Sequence, residues 1–114
     1  MNVRKARHAV WAVAVTTALA LVSGTASAYI GCIEKVTSVI MHSDGLVYFA
    51  TDHTCSAGWC QLAWTADATT KGYAMLLSAQ AQGIAIYFAW DNLASCTTPN
   101  ALYASPDFMA IAGT

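Results

Sequence analysis

All four cysteines of this chain, Cys32, Cys55, Cys60 and Cys96, lie beyond residue 28, and what precedes them reads as an export signal. Arg4, Lys5, Arg7 and His8 form a basic head, and no acidic residue occurs before Glu34. Ala9 to Val22 is apolar apart from Thr16 and Thr17, and Ser23-Gly24-Thr25-Ala26-Ser27-Ala28 is built of small residues. A basic head, an apolar middle and an A-x-A ending are the parts of a cleaved secretory signal, with cleavage expected after Ala28. The competing reading is a membrane anchor, but the apolar run falls short of the ~20 residues a span needs. Residues 29–114 are therefore expected to be a single domain, secreted or periplasmic, with no membrane span. In such a compartment an even number of cysteines in a short chain reads as two disulfides.

Four cysteines allow three pairings, and the residue string alone does not choose among them. Geometry favours one. Cys55 and Cys60 sit close together around the polar turn Asp52-His53-Thr54-Cys55-Ser56-Ala57-Gly58, where a local bridge closes a hairpin loop. That leaves Cys32 with Cys96, a long loop. A metal site built from His53, Cys55 and Cys60 is the competing reading. Its spacing lacks the usual C-x-x-C pair, and an oxidising compartment disfavours free thiolates, so neither metal nor other cofactor is expected.

Export also changes the charge. Removing the signal leaves Lys35 and Lys71 against six acids (Glu34, Asp44, Asp52, Asp67, Asp91 and Asp107), a net charge of −4. Phosphate contacts would lack their electrostatic source, which argues against nucleic acid as a partner. A domain this small is marginal on its own core, so the staples matter.

Turn signals divide the domain. Ile33 to Met41 is rich in β-branched residues and reads as a strand, His42-Ser43-Asp44-Gly45 as a tight hairpin turn, and Leu46 to Thr51 as a second strand. Trp59 to Thr65 reads as a third, with Cys60, Leu62 and Trp64 on one face. Thr69 or Thr70 is positioned to cap a helix that runs to Gln82, with Tyr73, Leu76, Leu77 and Gln80 on its inner face and Gly83 to stop it. The period then becomes two: Ile84, Ile86, Phe88 and Trp90 alternate with Ala85, Tyr87 and Ala89. A loop through Cys96 and Pro99, a short segment Ala101 to Ala104 and a last strand, Asp107 to Ala112, complete the chain. The expected fold is mainly β with one helix, β-β-β-α-β-β, which is the order of an OB-fold, a small partly open Greek-key barrel. In that barrel the first and fourth strands are antiparallel neighbours, which would bring Cys32 and Cys96 together. An α+β open sheet with one packed helix fits the same string.

The run Lys71-x-x-x-Met75-Leu76-Leu77-x-Ala79-x-Ala81-x-Gly83-x-x-Ile86, followed by Cys96 and a short final strand, resembles small secreted bacterial proteins related to the subtilase-cytotoxin B subunit. Cys60 entering the third strand and Asp44-Gly45 between the first two add to the likeness. The resemblance implies an OB-fold, pentameric rings as the homo-oligomer, and recognition of sialylated glycans on host surfaces. It covers most of residues 30–112 in element order, and its pattern is mostly apolar, so it speaks for fold more than for function.

Catalysis finds little support. His42 and His53 stand in polar turns beside Asp44 and Asp52, without a G-x-S-x-G, H-E-x-x-H or cysteine–histidine signature. Binding uses these residues better: sugar rings stack on aromatics, while Asp, Asn and Ser bond hydroxyls. Trp59, Trp64, Tyr87 and Tyr103 are the candidate contacts, with core or subunit interface as their other use. The expectation is a non-enzymatic binding module, toxin B-subunit-like, that recognises a glycan or protein surface. The alternative is an envelope-associated structural or inhibitory protein that binds another exported protein.

Overall fold

The first strand, β1 (Ile30–Met41), organises the molecule. Its residues alternate between the two faces as the period of two requires, with Cys32, Glu34 and Val36 inward and Gly31, Ile33 and Lys35 outward. The structure, a computed structural model, describes residues 28–112. The expected signal peptide, apart from Ala28, lies outside the described residues.

The N-terminal half of β1 pairs antiparallel with β4 (Ala85–Trp90), in register Cys32↔Phe88 and Glu34↔Ile86. Its C-terminal half pairs with β2 (Val47–Thr51), in register Ile40↔Tyr48 and Val39↔Phe49. Between the two halves the register slips at Thr37, where Val36 opposes Thr51 and Ser38 opposes Ala50. Such a bulge bends the strand and raises its twist, so one strand serves two ladders. β3 (Cys60–Leu62) and β5 (Phe108–Ile111) complete a five-stranded antiparallel open sheet in the order β3-β2-β1-β4-β5. β3 ends three residues before the expected Thr65. Along its free side, Gln61 N–H donates to the Ala104 carbonyl at 2.9 Å and Ala63 N–H to the Ser105 hydroxyl at 3.1 Å, so the chain leading into β5 covers that edge.

The helix α1 (Ala66–Gln82) starts a turn earlier than the sequence reading placed it. Thr65, not Thr69 or Thr70, is the cap, its hydroxyl accepting the Ala68 N–H, and Asp67 in the first turn favours the helix dipole. Gly83 ends the helix at φ 63, the left-handed conformation glycine adopts without a Cβ penalty. The buried stripe is Thr69, Gly72, Leu76 and Ala79, whereas Leu77 is exposed, against expectation, and Gln80 is exposed but reaches β1, its side-chain amide donating to the Thr37 carbonyl at 3.0 Å. The reason is close approach. A Cβ on Gly72 would stand 2.7 Å from Leu62 Cδ1 and 2.8 Å from Trp64 Cζ3, so the small residues, not the large ones, set which face seats on the sheet.

Beneath the helix lie the stacked rings of Phe49, Phe88 and Trp90, with centroids 5.3 Å (Phe49–Phe88) and 5.7 Å (Phe88–Trp90) apart. Glu34 is buried among them, its carboxylate accepting from the Thr51 hydroxyl at 2.8 Å, the Thr54 hydroxyl at 2.9 Å, the Thr54 N–H and the Trp90 indole at 3.4 Å. Four donors take the place of a cation here, satisfying a charge whose burial would otherwise be costly. Disulfides join Cys32 to Cys96 and Cys55 to Cys60, pointing to folding in an oxidising compartment. Among the described residues no helix is long and apolar enough to cross a membrane.

Candidate functional site

Outward-facing residues of the β1–β2 ladder form the floor of the site. Ile40 opposes Tyr48, both on the face away from the core. The turn after β1 closes one end: His42 N–H donates to the Leu46 carbonyl and Gly45 N–H to the His42 carbonyl, both at 3.0 Å, with Gly45 at φ 86. Asp44 locks this turn. Its Oδ1 accepts the Leu46 N–H at 2.8 Å and its Oδ2 accepts the Tyr48 hydroxyl at 3.1 Å. His42 Nδ1 lies 3.2 Å from both the Asp44 N–H and Oδ2, and its ring meets Tyr48 edge-on at 5.9 Å.

The wall comes from far along the chain. From Cys96, tethered to Cys32, the loop runs back beside residues 54–61, with Asn100 N–H on the Thr54 carbonyl at 2.8 Å and Tyr103 N–H on the Trp59 carbonyl at 2.7 Å. Tyr103 sits at φ 64, the left-handed region that a non-glycine residue enters at a cost, and such strain concentrates at binding sites. Its ring lies 5.4 Å from that of Tyr48 and is 48% exposed. Ile40, His42, Tyr48, Trp59 and Tyr103 together line an open cleft of about 220 Å³.

Electrostatics follow from this geometry. The Leu46 N–H, ahead of the Tyr48 hydroxyl and His42, holds the Asp44 carboxyl below its ordinary range. Partial loss of water around the Tyr48 phenol, reinforced by Asp44, pushes it above its ordinary value. Both shifts favour one arrangement, a neutral phenol donating to a carboxylate. Asp44 thereby holds the turn and accepts from Tyr48.

Of the four aromatic candidates from the sequence, the cleft brings together Trp59 and Tyr103. Trp64 is half-buried against α1, its indole N–H donating to the Pro106 carbonyl at 2.8 Å. Tyr87 lies across Gly31 on the outer face of the β1–β4 ladder and stacks on Phe108 at 5.9 Å. Ile40, His42 and Tyr48 are the liners that the sequence reading missed. The signal was present in the alternation Val47-Tyr48-Phe49, which puts Tyr48 opposite the core side. His53, offered as a metal ligand with Cys55 and Cys60, is exposed beside Asp52 at 3.8 Å, while both sulfurs are bridged to each other.

No family model, no curated protein and no solved structure matches this chain, so the likeness to toxin B subunits rests on the residues quoted for it.

Proposed function

We propose that this is an exported binding module, secreted or periplasmic, that recognises a glycan through the cleft of Tyr48, Trp59 and Tyr103. One observation carries the reading: three aromatic rings from distant parts of the chain converge on an open cleft, and one of them, Tyr103, is held there in a strained backbone conformation. A ring that only filled space would gain nothing from that position. Flat, half-exposed aromatic faces flanked by a carboxylate and an imidazole suit the apolar faces and hydroxyl rims of sugars.

An OB-fold-like barrel is the architecture we assign. In support, the strand order is β3-β2-β1-β4-β5 with α1 between β3 and β4, and residues 103–105 bridge towards β3. A broad glycan array probed with the oxidised protein tests the function. Retention on defined sugars that is lost in Trp59→Ala supports it, and retention of nothing refutes it.

A second reading, a structural or inhibitory protein that binds another exported protein, draws on the other end of the same outer face, along the β1–β4–β5 half of the sheet. Tyr29, Ile33 and Phe108 are exposed there, next to an edge strand, β5, whose four residues carry no charge. Pull-down of a defined exported partner that is abolished by Phe108→Lys, with an empty glycan array, would favour that reading.

A further inference from the structure

Trp59 separates two clefts. On its far side lies a second, shallower opening of about 380 Å³, lined by Thr37, Ser38, Ala50, Ser56, Ala57 and Gly58 together with Trp59 itself. The two share a floor. Ile40↔Tyr48 underlies the first and Ser38↔Ala50 the second, and these are successive outward rows of the same ladder. Such rows are ~7 Å apart, a distance comparable to one sugar ring. The second opening is lined by Thr37, Ser38 and Ser56, where the first is lined by aromatic rings.

Charge narrows the ligand further. Asp44, at the rim of the aromatic opening, is held in its charged form by the Leu46 N–H. Of the two lysines among the described residues, Lys71 pairs with Asp67 at 2.9 Å on α1, and Lys35 is exposed on the outward face of β1, two residues before Thr37, and lines neither opening. An anionic sugar would meet a carboxylate at the rim without a lysine or arginine among the cleft-lining side chains.

We infer that the two openings are adjacent subsites of one groove, which takes a neutral, extended oligosaccharide that crosses Trp59. The inference rests on the glycan reading above and deepens it. One ring stacks among Tyr48, Trp59 and Tyr103. The next lies over Ser38 and Ala50, with its hydroxyls facing Thr37 and Ser56.

Titration of the ¹⁵N-labelled, oxidised protein, purified after export, tests this with two sets of probes. The first is a β1,4-linked series of one to four N-acetylglucosamine units, and the second is lactose against 3′-sialyllactose. Affinity is expected to rise about tenfold from one unit to two, with amide shifts spreading from the Tyr48 and Tyr103 region to Ser38 and Ser56. Lactose is expected to bind about fivefold more tightly than its sialylated form, the size of a single charge repulsion at the solvent boundary. Asp44→Asn narrows that ratio, and Ala57→Trp brings the affinity of the longer sugars down to that of the monosaccharide. Binding that does not depend on chain length overturns the groove while leaving the lectin reading in place. Tighter binding of sialyllactose overturns the neutrality. No shift with any probe, together with an empty array, overturns the glycan reading and this inference with it.

Discussion

The N–H of Tyr103 donates to the carbonyl of Trp59 at 2.7 Å, a bond across 44 positions of sequence that sets two aromatic side chains on one cleft. It holds because both neighbours are pinned. Cys60 is bridged to Cys55, and the loop that carries Tyr103 is tied down by Cys96 at its start and by the Ala104–Gln61 bond at its end. The cleft is thus a product of the staples and the backbone lane they support.

Tyr103 separates stability from binding. At φ 64 glycine is at ease, whereas alanine retains the Cβ strain of about 1 kcal/mol. Tyr103→Gly is therefore expected to melt higher than Tyr103→Ala, and both are expected to lose sugar binding. Thermal unfolding alongside the array distinguishes these effects, and equal melting of the two variants would show that the strain is not there.

Glu34 is expected to be the most sensitive polar position in the core. Glu34→Ala strands the Thr51 and Thr54 hydroxyls, the Thr54 N–H and the Trp90 indole in a buried site, at a cost of about 3–5 kcal/mol. Glu34→Gln points an amide donor at existing donors and is expected to lose about 2 kcal/mol. Urea unfolding at constant m-value measures both.

The disulfides differ in what they stabilise. Loop-closure entropy assigns about 4 kcal/mol to Cys32–Cys96, which spans 64 residues, and about 2 kcal/mol to Cys55–Cys60, which spans 5. Removing the first as a double Cys→Ala variant should lower the unfolding midpoint more. It should also release the loop carrying Tyr103, detectable as faster amide exchange at Tyr103 and Ala104.

Two groups at the rim set a pH window. Asp44 titrates below its ordinary 3.8 when folded, so its contribution is present above 3.8 and fades as pH falls through the depressed value. Tyr48 titrates above its ordinary 10.0, so its contribution is complete below 10 and fades as pH rises through the raised value. Asp44→Asn is expected to flatten the acid limb and bring the Tyr48 phenol back towards 10, followed by NMR titration of the Tyr48 ring. An unchanged Tyr48 titration would refute the coupling.

Local rules were sufficient for much of the fold. The alternation from Ile84 to Trp90, the Asp44-Gly45 turn and the Gly83 helix stop each depend on a few neighbouring residues; the turn and the stop stand where the sequence placed them, and the strand begins one residue later, at Ala85. The helix face was misread for a physical reason. Periodicity ranks residues by hydrophobicity, but Gly72 and Ala79 seat α1 by being small, which is visible only against Leu62 and Trp64. Trp64 and Tyr87 show the same limit for the site, since an aromatic residue in a string does not say whether a helix or Gly31 covers it.

By itself, the sequence determined the order of strands about a single helix and a small acidic domain with an even number of cysteines, because these follow from local period and composition. Only the tertiary structure decided which aromatic rings share a cleft. Tyr48, Trp59 and Tyr103 meet through a strand register, a disulfide tether and one long-range backbone bond, and each of these closes in space between residues that the linear pattern leaves far apart.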